Sequence, residues 1–88
     1  MQFEGAKVNE QGVTFGIVIV KPHVLNDARE QVGARALGTQ AFGPIPIVLM
    51  AQDARGVPTY NGRPDIVRFL ASIFVDQIPW QRYTLSAA

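Results

Sequence analysis

Two short segments set a basic residue, a proline and a polar residue in the same order. Lys21-Pro22 is followed by His23, Val24 and Leu25, and Arg63-Pro64 by Asp65, Ile66 and Val67. Each follows a strand-like run and precedes a helix-like one. Proline suits the first helical position because its φ is already set and its missing N–H would have no partner there. The aliphatic pair behind it opens a buried helix face. The cations need another reason, since a positive charge beside a helix N-terminus is unfavourable by roughly 0.3–1 kcal/mol. If the two helix starts lie side by side, Lys21, His23, Arg63 and Asp65 converge on a site for an anion or small ligand. The competing reading is that the cations are solvated, or paired with Asp27 or Asp65, and that both segments are simply ways of starting a helix.

Other chemistry finds less support. His23 is the sole histidine, and Asp27 is its natural partner one helical turn on. No Ser-His-Asp or Cys-His set accompanies it, so no catalytic residue is assigned and a non-enzymatic role is favoured. One histidine, no cysteine and 7 scattered acids supply no ligand spacing for a metal. Gly62-Arg63-Pro64 lacks the glycine spacing of a phosphate loop or a dinucleotide fingerprint, so no cofactor is expected. The arginines are spread along the chain and the net charge is +1, which argues against a surface that tracks nucleic acid. Trp80 and Tyr83 flank Arg82, the composition of an interface hot spot and equally of a C-terminal strand that closes a core.

Around these segments the sequence reads as an alternation of hairpins and helices. Residues 3–10 and 13–20 read as a hairpin turning at Asn9-Glu10-Gln11-Gly12, with Gly12 free to take positive φ. Ile17 to Val20 is apolar at every position, the mark of a strand covered on both faces. A helix follows, with a narrow stripe of Leu25, Ala28, Val32 and Ala36. Pro22 and the Asp27-to-Glu30 capping box compete as its start, and Gly38 as a C′ residue ends it. Gly33 inside it suggests a close packing point. TQAFGPIP reads as a loop and Ile47 onward as a second strand apolar on both faces. Asp53-Ala54-Arg55-Gly56 is a turn and VPTYN a short return strand. A second helix carries the stripe Ile66, Val67, Leu70, Ile73 and Phe74, and a last strand spans Gln81 to Leu85.

The fold class is therefore α+β: one domain over residues 1–88, in ββα-ββα-β order, with one mainly antiparallel sheet of four to five strands packed against two helices. The two ββα units suggest a repeat, but outside the basic-Pro pair their identity is negligible. From Pro46 to Ile73 the order resembles the C-terminal half of thioredoxin-like domains, with a proline before the strand. The redox cysteines are missing and the first half departs from it, so no residue role is carried over.

At 17%, charged residues fall below the usual quarter, against 48% hydrophobic. The apolar runs FGIVIV and FGPIPIVLMA are far shorter than a membrane span. MQFEGAKVNE has no apolar signal core, which makes a cytoplasmic location the default expectation. The TLSAA end is expected to fray. With two helices on one face of the sheet, the other face would show Ile, Val, Leu and Met to water, and a second copy would cover it. The chain is thus expected to be a homodimeric interaction module that takes a protein or small-molecule partner. Helices on opposite faces, or a C-terminal segment folded over the open face, are the rival arrangements.

Overall fold

The computed structural model describes residues 1–86. Strands β1 (Gln2–Glu10) and β2 (Val13–Ile19) form the first hairpin. A 3-10 helix, Pro22–Asn26, leads into α1 (Ala28–Phe42). β3 (Ile47–Gln52) and β4 (Pro58–Asn61) form the second hairpin, followed by α2 (Pro64–Ala71). A short 3-10 turn, Val75–Gln77, precedes β5 (Gln81–Thr84). The strands lie in the order β4-β3-β2-β1-β5. Every neighbouring pair is antiparallel except β2 and β3, which run parallel with Gly16 opposite Ile47 and Ile19 opposite Met50. The α+β class and the ββα-ββα-β order hold.

Local chemistry explains the elements. Glu10 and Val13 face each other across the two-residue turn Gln11-Gly12. Both turn residues have positive φ, 51° and 80°, the geometry whose twist matches the flanking strands. Both expected helix starts are used in succession. Pro22 opens the 3-10 helix, and the Asp27 carboxylate then caps α1 by accepting from the Arg29 and Glu30 backbone N–H groups at 3.0 and 3.2 Å. The reciprocal half of the capping box is not formed, because the Glu30 carboxylate turns to His23. Pro46 stands just before β3 and Pro64 just inside α2, where neither removes a needed hydrogen bond.

The two helices cover opposite faces of the sheet, which corrects the one-face expectation. α1 is the crossover between the parallel strands β2 and β3 and packs on the face of Phe3, Val18, Ile47 and Leu49. α2 follows the β3–β4 hairpin and packs on the face of Ala6, Phe15, Ile17, Val48 and Met50. Strand alternation divides the side chains between the two cores. Phe15 and Ile17 go to one side and Val18 to the other. The doubly apolar strands are thus explained within one chain. The hairpins also enter the sheet in reverse sense, β2 lying inside β1 but β4 outside β3, so the two ββα units are not equivalent.

The contact face of α1 differs from the expected stripe. Val32 is 71% exposed, and Ala28 and Ala36 face solvent too. The buried side is made by Ala34, Leu37, Gly38, Ala41 and Phe42. Gly38 does not end the helix, and Thr39–Phe42, expected as loop, are helical. Gly43, with φ 91°, is the cap residue, and its N–H donates to the Thr39 carbonyl. The close packing expected at Gly33 belongs to Gly38: a Cβ there would lie 2.8 Å from Ile47 Cγ2 and 3.0 Å from Val18 Cγ2, whereas Gly33 faces open space. α2 stops at Ala71, so Phe74 leaves its stripe and is 77% exposed. Thr84 belongs to β5, and the Leu85 N–H donates to the Met1 carbonyl at 2.8 Å; the rest of the TLSAA tail beyond Ser86 lies outside the described residues.

Two substitution experiments test this packing. Leu70 is 1% exposed in the core under α2, so Leu70→Ala should cost about 2–5 kcal/mol in urea unfolding. Gly38→Ala should destabilise by about 1–3 kcal/mol, because two β-branched side chains must shift. Gly33→Ala should stabilise by about 0.5–1 kcal/mol, the ordinary gain in an open helix position. The opposite order for the two glycines would place the wrong face of α1 on the sheet.

Candidate functional site

The four residues of the expected helix-start site do not converge: Arg63 and Asp65 pair with each other, and Lys21 and His23 lie elsewhere. Lys21 leaves β2 beside Gln52, at the C-terminal end of β3. Arg63 leaves β4 beside Val48 and Ile47, at the other end. The six residues of β3 rise about 3.3 Å each, which separates the two helix starts by roughly 15–20 Å. Val24 and Ile66 sit in different cores, so the starts also lie on opposite faces. His23 is exposed, and its Nε2 lies 3.1 Å from Glu30 Oε2, while Asp27 is occupied in capping α1. Lys21 lines a separate surface cleft with Glu4 and Arg82.

Arg63 and Asp65 form one unit. The Arg63 Nε and one terminal nitrogen donate to the two Asp65 oxygens, each at 2.7 Å, a bidentate pair at the mouth of α2. Asp65 in the first turn is favoured by the helix dipole, and its charge offsets the cation beside the same helix end. The hydrogen bonds from Arg63 hold the Asp65 carboxyl down to about 2.

Trp80 and Tyr83 are half-buried, each packed against one of the cores. Trp80 Nε1 donates to the Val75 carbonyl at 2.8 Å and the ring packs on the α2 side. Tyr83 stacks on Phe3 at 5.3 Å and meets Phe42 edge-on at 4.8 Å on the α1 side. Arg82 stays exposed, 3.6 Å from Glu4 across the β1–β5 pair. Among the described residues no group of three or more His, Cys, Asp or Glu side chains could hold a metal ion, and no helix is long and apolar enough to cross a membrane.

Two features were not foreseen. At the Ile47 end, Arg35 and Thr39 of α1 face Asn61, Gly62 and Arg63 across a cleft of about 470 Å³. Arg35 donates from one terminal nitrogen to the Asn61 carbonyl at 3.0 Å and to Asn61 Oδ1 at 2.6 Å. Arg35 and Asn61 are 26 positions apart, and no local spacing links them. At the Gln52 end, an apolar groove of about 410 Å³ runs between the edge strand β4 and the end of α2, lined by Val57, Pro58, Tyr60, Leu70, Ile73 and Phe74. Val57 is 55% and Phe74 77% exposed, and the Tyr60 hydroxyl is buried with no hydrogen-bond partner. Burial raises the Tyr60 pKa.

No protein-family model matches the chain, and comparison with curated proteins and with solved structures likewise gave no match. The partial resemblance to thioredoxin-like domains gains no support from them.

The Arg63–Asp65 pair has a pH signature. The folded Asp65 value lies below the ordinary 3.8, so the pair adds stability above that value and loses it as pH falls toward about 2. Following the Asp65 carboxyl carbon by NMR should give a midpoint near 2 in the native chain. In Arg63→Gln it should return close to 3.8. A midpoint that ignores the substitution would mean that the pair is not formed in solution.

Proposed function

We propose that the chain is a non-enzymatic interaction module that works as a homodimer through the groove between β4 and the end of α2. The observation that carries this reading is the convergence of Val57 and Phe74, two of the large apolar side chains left exposed, on one groove lined also by Tyr60. Exposed aromatic side chains beside a pocket are the usual anchors of an interface.

A second copy is the occupant that the chemistry of the groove favours. None of its lining residues is charged. A two-fold contact sets the same patch against itself, and an uncharged patch meets its copy without like-charge repulsion. The sheet faces are not available for this purpose, because each helix covers one. Of the two edges, β4 borders the groove directly. An enzymatic reading draws less from the geometry: His23 and Glu30, the pair suited to proton transfer, line neither this groove nor the cleft at Arg35.

Sedimentation equilibrium at micromolar concentration should return twice the 9.6 kDa mass of one chain. Phe74→Asp should weaken the association by about 2 kcal/mol or more, as loss of an anchor does, while leaving the melting temperature of the protomer close to native because the side chain is exposed. A native chain that sediments only at 9.6 kDa would contradict the reading.

A further inference from the structure

Arg35 is half-buried, yet among the described residues no carboxylate lies within ion-pair distance of it; the ion pairs are His23–Glu30, Arg63–Asp65 and Arg82–Glu4. Taking a charge partly out of water without a counter-charge is costly. Neutral oxygens of Asn61 satisfy only part of the group. One terminal nitrogen gives its hydrogens to the Asn61 carbonyl and Oδ1. A guanidinium has five N–H donors. Its Nε and second terminal nitrogen have no hydrogen-bond acceptor among the described residues, and the side chain lines the cleft. Arg63 stands across the same cleft. Asp65 holds its Nε and one terminal nitrogen, which leaves the other terminal nitrogen free to donate. Arg35, Arg63 and Asp65 together leave one net positive charge at the cleft mouth.

The rest of the lining fits the same ligand. Thr39, one turn along α1 from Arg35, adds a hydroxyl. Gly62 packs its backbone against Val48: a Cβ there would lie 2.9 Å from Val48 Cγ2, so a side chain at this position would displace the turn that presents Arg63. The cleft is built from α1 on one side and the β4–α2 turn on the other, and the Arg35–Asn61 contact ties the two sides together.

We propose that this cleft is a binding site for a small oxyanion, a phosphate or carboxylate group held between the Arg35 and Arg63 guanidinium groups with the Thr39 hydroxyl as a further donor. Planar guanidinium forks suit such oxygens, and paired charge-assisted hydrogen bonds are the strong ones. The site retains Arg63 from the helix-start reading and exchanges Lys21 and His23 for Arg35 and Thr39. It lies at the Asn61 end of β4, away from the Val57–Phe74 groove, and so does not depend on the dimer.

The test is a titration of the full chain with inorganic phosphate and, separately, with acetate, following backbone amide shifts at low chloride. At least one of the two anions should move the Thr39 and Gly62 amides saturably, and which one does so assigns the group. Arg63→Gln removes an exposed side chain and should leave the fold intact while weakening the affinity at least about tenfold. Arg35→Gln should do the same, and its amide spectrum reports whether the β4 contact survives. Arg55→Gln, on the exposed β3–β4 turn, should change nothing. Absence of saturable shifts with both anions would overturn the site, as would an unchanged affinity in Arg63→Gln or an equal loss in Arg55→Gln.

Discussion

The parallel pairing of β2 with β3 sets the terms for everything else in this chain. Two adjacent parallel strands cannot be joined by a tight turn, so the segment between Val20 and Pro46 must travel the length of the sheet and return on one face. It does so as the 3-10 helix and α1, and it has to lie close. Gly38 makes that approach possible by offering no Cβ to Ile47 and Val18, and Gly16 leaves room for the Phe42 ring. Phe42 then meets Phe3 and Tyr83, which fastens β5 to the edge of β1. A single glycine-lined contact thus connects the crossover, the α1-side core and the last strand.

With α1 committed to one face, α2 is left to cover the other. The sheet becomes the middle layer of three, and its apolar strands need no partner molecule to hide them. The rim is the part of the sheet that the helices leave uncovered. The β4 side offers two different surfaces at its two ends. The Asn61 end is cationic and polar because the turn into α2 brings Arg63 up to Arg35. The Val57 end is apolar because α2 stops after two turns and leaves Phe74 outside the core. The short length of α2 therefore shapes this end of the molecule as much as any side chain in it.

Much of the local structure was legible in the sequence because local chemistry fixes it. Gly12, Asp27, Pro46 and Pro64 each act within a few residues of themselves, and each marks a boundary that the structure respects, although Asn9 and Glu10, read as part of the first turn, belong to β1. The face of α1 was not legible. Its burying residues are mainly alanine and glycine, which carry little hydrophobic signal, while the larger Val32 sits in water. The side of the sheet taken by each helix is a property of strand order, which no single window of sequence contains. For the same reason the candidate site shifted. Arg63 was visible as a cation out of place beside a helix, but its neighbour across the cleft comes from a helix turn 26 positions before Asn61. Trp80 and Tyr83 read equally as core and interface residues in the sequence; their half-buried rings pack against opposite cores.

The two-sided arrangement is the claim on which both surfaces rest, and proton–proton contacts measure it directly. A side-chain NOE spectrum should connect Phe42 with Tyr83 and Phe3, and Leu70 with the residues of its own core, Met50 and Ile17, with no cross-peaks between the two sets. It should also show backbone contacts between Val18 and Leu49 in the parallel pattern. Cross-peaks placing Phe42 and Leu70 against the same strand side chains would put both helices on one face and contradict the account.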